Sequence, residues 1–189
     1  MNITPGFGII LVMKILYYIR HGQTVWNVEN KICGATDVPL TELGHKQAVE
    51  TGEEFLRLGY KADIILHSPL MRAADTARHI SDVTGIPAFQ EERLREQNFG
   101  SFESKPRNGE EFAIAKRRFV YSFGGGESML RVAQRVYNLL DELKERPETC
   151  VLVAHNGIAR MVQSYFNEMT NEEFSIFGIK NCQIVEYHF

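Results

Sequence analysis

Arg20, His21, Thr24 and Asn27 fall together in the segment Arg20-His21-Gly22-Gln23-Thr24-Val25-Trp26-Asn27. Arg72 comes just after Ser68-Pro69-Leu70, and a second histidine, His155, follows the apolar run Cys150-Val151-Leu152-Val153-Ala154. Two guanidiniums, two imidazoles and helix N-termini suit a tetrahedral oxyanion. One arginine would satisfy a carboxylate, so phosphate is the better fit. A neutral imidazole can attack phosphorus and form a phosphohistidine. Arginines and a second histidine can carry the charge of a metaphosphate-like transition state without a metal. The leaving oxygen still needs a proton, and Glu96, Glu103, Glu110 and Glu111 are the carboxyl candidates. No Ser-His-Asp elbow and no Walker-type glycine loop is present.

For these groups to meet, the chain must carry them to one place. The sequence predicts a buried strand over about 14–19, rich in β-branched and aromatic residues. A polar loop follows over 20–40. Thr41-Glu42-Leu43-Gly44 opens a helix with Ala48, Phe55 and Leu56 on its apolar face, and Gly59 stops it near Leu58. A second short strand is predicted over 62–67. Ser68-Pro69 is expected to cap a helix with Leu70, Ala73, Ala74, Ala77, Ile80 and Val83 inward. A third strand is expected over 87–90. Residues 97–127 are irregular, with partial helix over 112–123, and read as a cap or lid. Ser128 caps a strongly amphipathic helix with Met129, Val132, Ala133, Val136, Leu140 and Leu143 on one stripe. A fourth strand over 150–154, a helix over 158–166 and a last strand over 181–187 complete the chain. Short buried strands alternating with amphipathic helices mean βαβ units and a mostly parallel sheet covered on both faces. Ligands bind outside the carboxyl ends of such strands. His21, Ser68 and His155 each follow a strand at that end.

Composition narrows the field. The chain has 189 residues, 44% apolar and 24% charged, with a net charge of −3. One domain over 13–189 is expected, without staples. Residues 1–12 read as an appended extension, with Met13 as a natural start. No basic excess is available for nucleic acid. The apolar stretch from Gly6 to Ile19 is short for a membrane span and lacks the basic start of a signal peptide. Cys33, Cys150 and Cys182 form no paired motif, which fits a reduced, cytoplasmic setting. Cys150 and Cys182 read as small core residues. Cys33 and Asp37 match no usual metal spacing, so no metal is expected. His45, His79 and His188 read as surface or packing residues.

Arg20-His21-Gly22-Gln23-Thr24 with Asn27 resembles the signature of the histidine phosphatase superfamily, the phosphoglycerate mutase-like proteins. Ser68-Pro69-Leu70 with Arg72-Ala73 and Thr76-Ala77 resembles the second-strand block. Leu94, Glu96, Gly100 and Glu103 resemble the acid block, and Val153-Ala154-His155 the second-histidine block. The resemblance implies an α/β fold, a three-layer α/β/α sandwich. It makes His21 the nucleophile and Glu96 the proton donor, with Arg20, Arg72, His155 and Asn27 on the phosphoryl group. The stretch from Asn27 to Leu40 resembles the cofactor-dependent mutase branch; Cys33 and Gly34 within it, and Gln23 in the first motif, are expected substrate contacts. Arg117-Arg118 resembles a substrate-binding pair there, with Arg117 the expected contact. Three positions depart from the family pattern: Asn156 and Ser104 replace glycines, and His67 replaces a serine.

The substrate implied is a small phosphorylated metabolite, with no nucleic-acid or membrane partner, and the chain is expected as a monomer or homodimer. A short cap leaves a phosphohistidine open to water, which favours a metal-independent phosphomonoesterase. The alternative is a mutase, which alone would need 2,3-bisphosphoglycerate as primer. A phospho-ligand binding protein with weak turnover is the third reading, with Asn156 as its hint.

Overall fold

A computed structural model describes residues 14–189. The expected extension over 1–12 and the Met13 start lie outside the described residues. Strands β1 (Ile15–Arg20), β2 (Ile64–His67), β3 (Ala88–Gln90) and β4 (Cys150–Ala154) run parallel, and β5 (Ile184–His188) pairs antiparallel with β1 at the edge. The sheet order is β3-β2-β4-β1-β5. All of β4 is buried, as a central parallel strand with both faces covered must be.

Alternation along β1 sorts its side chains into two cores. Tyr17 and Ile19 face helices α2 (Glu42–Arg57) and α3 (Met71–Thr84), where they meet Phe55, Ala73, Ala77 and Ile80. Leu16 and Tyr18 face α5 (Met129–Glu145) and α6 (Asn156–Phe166), where Val132, Val136, Leu140, Ile158 and Val162 are buried. Two helical layers therefore sandwich the sheet, as the strand and helix periods require. Each aliphatic side chain buried this way contributes about 1.5–3 kcal/mol, so the short strands are held by packing on both sides.

Several local expectations change. Ser68-Pro69 does not cap α3: Leu70 is its N-cap and makes no side-chain cap bond. The Ser68 hydroxyl is instead committed to His155, described below. Leu56 is half exposed rather than inward. Cys182 is not in the last strand. It lies in a turn before β5 with φ of 58° and is partly exposed, whereas Cys150 is buried. His45 and His79 join α2 to α3 through a 2.9 Å Nδ1–Nε2 hydrogen bond. Two further helices were not foreseen: α1 (Val25–Val28), inside the polar loop, and α7 (Asn171–Ile176).

The irregular segment is packed rather than loose. Its helical part is α4 (Glu110–Ala115), shorter than expected. Phe99, Phe112 and Phe123 meet with ring centroids 5.2–6.2 Å apart and join the larger core. Ser104 adopts φ of 65°. A glycine takes that conformation freely, while serine carries strain of about 1 kcal/mol. That is the physical content of this departure from the family pattern.

Candidate active site

The parallel order brings β1 and β4 side by side, with Arg20 level with Ala154. His21 and His155 follow directly, and their rings lie 5.1 Å apart. His21 is 5% exposed and His155 fully buried. Burial, then the charges of Arg72 and Arg20, lower the His21 pKa well below the usual histidine value. Burial, then Arg72, His21 and Arg20, do the same to His155. Both imidazoles are therefore neutral near neutral pH.

Hydrogen bonds orient both rings. His21 Nδ1 lies 2.7 Å from the Gly22 carbonyl, so Nδ1–H donates and Nε2 keeps its lone pair. His155 Nε2 lies 2.7 Å from Ser68 Oγ, which itself accepts from the Leu70 N–H. That bond anchors the ring through Nε2 and leaves Nδ1 as its other nitrogen. That Nδ1 is buried without a hydrogen-bond partner among the described residues.

The two arginines share this condition. Arg72 is fully buried and donates to the Gly34 and Thr36 carbonyls at 2.7 and 2.9 Å. Arg20 donates to the Ile179 carbonyl at 2.7 Å, and burial lowers its pKa to about 10. The Nε of each is buried and unpartnered among the described residues. Orphaned buried donors are costly; Arg20 lines the pocket with His21, Arg72 and His155 are not among its lining residues, and the charges of Arg72 and Arg20 both act on the His21 ring.

Glu96 and Glu103 now separate. Glu96, 5% exposed, lines the pocket with Arg20 and His21. It accepts the Gly157 and Gln97 N–H groups, each at 2.9 Å. Glu103 instead clamps a loop, accepting from the N–H groups of Gly34, Ala35, Thr36 and Phe99 and from the Thr36 hydroxyl. It holds the carbonyls that hold Arg72. Glu110 and Glu111 do not line the pocket.

Asn27 and Cys33 also line the pocket. Burial pushes the Cys33 thiol up to about 11, so it is a neutral wall. Gly34 acts through its backbone, and a Cβ there would come 2.2 Å from the Gln97 carbonyl oxygen. Gln23 turns away, its side-chain oxygen taken by the Thr41 hydroxyl at 2.9 Å. Arg117 is also outside: it is exposed and pairs with Glu172. Its neighbour Lys116 lines the pocket instead, because α4 ends there and points that residue inward. Arg107 and Arg160 join Lys116, and the sequence alone singled out neither. Burial and these neighbouring arginines lower the Lys116 pKa to about 8. Asn156 lines the same wall. The residue that must lack a side chain is Gly157, whose Cβ would lie 2.4 Å from Glu96 Oε1.

Among the described residues, no group of three or more histidine, cysteine, aspartate or glutamate side chains is placed to hold a metal, and no helix is long and apolar enough to cross a membrane.

Fold and site together define an α/β sandwich protein with two buried histidines paired at the strand ends. The chain belongs to the histidine phosphatase superfamily, branch 1, whose model matches residues 16–189. It is 32% identical over 172 residues to a 2,3-bisphosphoglycerate-dependent phosphoglycerate mutase of Chelativorans sp. (strain BNC1), covering 84% of each chain. Among solved structures it is similar to a mycobacterial glucosyl-3-phosphoglycerate phosphatase in complex with VO3, with TM-score 0.80, 28% identity and 92% of this chain and 90% of that one covered. It is also similar to the phosphoserine phosphatase of Entamoeba histolytica in complex with 3-phosphoglyceric acid, with TM-score 0.75, 29% identity and 91% and 89% covered.

Proposed function

We propose that the chain is a metal-independent phosphomonoesterase working through a phosphohistidine on His21. One observation carries this reading: a neutral His21 with its Nε2 lone pair free, its ring 5.1 Å from that of His155 and in the field of the Arg72 and Arg20 charges. Nε2 attacks phosphorus as the ester P–O bond breaks. Glu96, in its acid form, gives its proton to the leaving oxygen. The resulting carboxylate then takes a proton from water, whose oxygen attacks phosphorus and breaks the P–N bond. The alcohol and inorganic phosphate leave, and Glu96 and His21 return to their starting states. Arg20, Arg72, His155 and Asn27 hold the phosphoryl oxygens throughout, so the spreading charge meets fixed donors.

The rest of the pocket bears on the substrate. Arg107, Lys116 and Arg160 set three cations on one wall. A small phosphate ester bearing a second anionic group, such as a carboxylate, fits that wall. The solved phosphatases to which the chain is similar are named for phosphorylated acids. Mutase activity is the second reading, supported by the curated relatives' names.

Quenched single-turnover reactions test the first reading. Wild type forms an acid-labile phosphoenzyme, releases one phosphate per alcohol with excess chelator present, and needs no bisphosphorylated primer. His21→Ala forms none. A phosphoenzyme that persists in that variant, or activity lost to chelator and restored by a divalent metal, refutes it. Primer-dependent isomerisation with little phosphate release establishes the mutase.

A further inference from the structure

The chain between α7 and β5 crosses the end of β1 and touches it repeatedly. The Ile179 carbonyl accepts from Arg20, the Cys182 N–H donates to the Arg20 carbonyl at 2.9 Å, and Asn181 Nδ2 donates to the His21 carbonyl at 2.8 Å. The same Nδ2 reaches Asn27 Oδ1 at 3.3 Å. On the far side, Asn156 Oδ1 accepts from the Ile179 N–H at 3.0 Å. Gly178 makes room for that amide, since a Cβ would come 3.0 Å from Asn156 Nδ2. Asn156, a departure from the family pattern, is thus matched to the strap it holds.

We propose that Asn181 is a positioning residue for the nucleophile and for Asn27, with Asn156 holding the strap that carries it. The inference rests on His21 being the nucleophile. His21 is fixed by its own N–H to the Ala154 carbonyl at 2.9 Å, by its ring to the Gly22 carbonyl, and by its carbonyl to Asn181. Asn27 Oδ1 takes the Thr24 N–H at 3.0 Å and the Asn181 amide. Both lone pairs of that oxygen are then occupied, so the Asn27 NH2 is the end left to donate to a phosphoryl oxygen. Removing the Asn181 amide frees the His21 carbonyl and one lone pair of Asn27 together. A shift of about 1 Å in a reacting group can cost on the order of a hundredfold in rate.

The test is the nitrophenolate burst from p-nitrophenyl phosphate in wild type, Asn181→Ala and Asn181→Asp, with thermal melts of each. Asp keeps the shape of Asn but cannot donate when ionised. Both variants are expected to slow phosphoenzyme formation at saturating ester by about 10–100-fold and, through Asn27, to weaken competitive inhibition by inorganic phosphate, Asn181→Asp the more because its carboxylate repels the anion. Asn156→Gly is expected to slow the burst in the same direction by a smaller factor. Burst rates near wild type in both Asn181 variants overturn the proposal, as does loss in the alanine variant with full rate in the aspartate variant. A lower melting temperature with an unchanged burst rate per folded molecule also overturns it, because the role is then structural only. If wild type itself forms no phosphoenzyme, the nucleophile assignment falls first and this proposal falls with it.

Discussion

Replacing Glu96 by glutamine asks the carboxyl group two separable questions. Each oxygen accepts one buried backbone N–H, from Gln97 and from Gly157, at 2.9 Å. Glutamine offers one carbonyl oxygen, so its NH2 must face the other N–H. Leaving a buried donor unsatisfied costs about 1–3 kcal/mol, which for a domain this size lowers the melting temperature by about 2–4 °C per kcal/mol. The chemical loss depends on the leaving group. An alkoxide needs its proton, and a general acid is worth about 10²–10⁴ in rate. Nitrophenolate leaves without one, so the burst phase with p-nitrophenyl phosphate is expected to fall less than about tenfold. The assay is single-turnover phosphoenzyme formation with an alkyl and an aryl ester, because steady-state rates also include water attack. Glu103→Gln is the control. That carboxylate accepts five hydrogen bonds around residues 34–36 and Phe99. Its loss loosens the carbonyls that hold Arg72 and slows both esters alike. Equal effects of Glu96→Gln on the two esters refute its role as acid, and leaving-group dependence in Glu103→Gln instead transfers that role to Glu103.

Three further outcomes follow from the same geometry. Lys116, lowered to about 8, is charged below that pH and neutral above it; KM for an ester bearing a second anion is expected to rise above about pH 8, with Lys116→Arg flattening the rise, and a KM that stays flat in wild type removes Lys116 from substrate binding. His21 and His155 have lowered folded-state pKa values, so the unfolded chain binds more protons below its own histidine pKa of about 6.5, and stability falls with acid by up to about 2.7 kcal/mol per pH unit for the pair; urea melts between pH 7 and pH 5 measure this, and an unchanged midpoint refutes the buried neutral pair. Gly157→Ala places a Cβ 2.4 Å from Glu96 Oε1 and is expected to cut single-turnover hydrolysis of an alkyl ester by about 10–100-fold, whereas wild-type rates in that variant show that the Glu96 carboxyl need not stay where it is.

The fold was legible where period and burial agreed. β4 is uniformly apolar, α5 carries one clean stripe, and both appear within a residue of where the pattern put them. Six residues give the segment carrying α7 too little periodicity to show as a helix in the sequence. Its signal was the capping box Thr170-x-x-Glu173, whose reciprocal bonds are present. The site was legible where residues follow strands directly, since the strand end then dictates placement. His21 and His155 are of this kind. Arg107 and Arg160 were not legible, because a single arginine in a loop or on a helix looks the same in sequence whether it meets solvent or a pocket. Lys116 and Arg117 differ by one position at a helix end, and there sequence does not resolve which side chain turns inward. Ser68 looks like a cap in sequence because a hydroxyl just before a helix commonly accepts an N–H, as this one does from Leu70; its bond to His155 depends on the approach of β4, which sequence does not show.

The sheet order has a consequence for biosynthesis. The strand that ends in His21 is made early, yet its hydrogen-bonding neighbours are β4 and β5. Leu16 pairs with Cys150, so more than a hundred residues must leave the ribosome before β1 gains its first partner. At ~5–20 residues per second that is a delay on the order of ten seconds. During it the segment Ile15-Leu16-Tyr17-Tyr18-Ile19, apolar on both faces, has open edges on either side. Such a segment is a ready template for pairing with other nascent chains. The arrangement that sets two histidines side by side thus leaves a β-prone segment of the growing chain without a partner strand until β4 emerges.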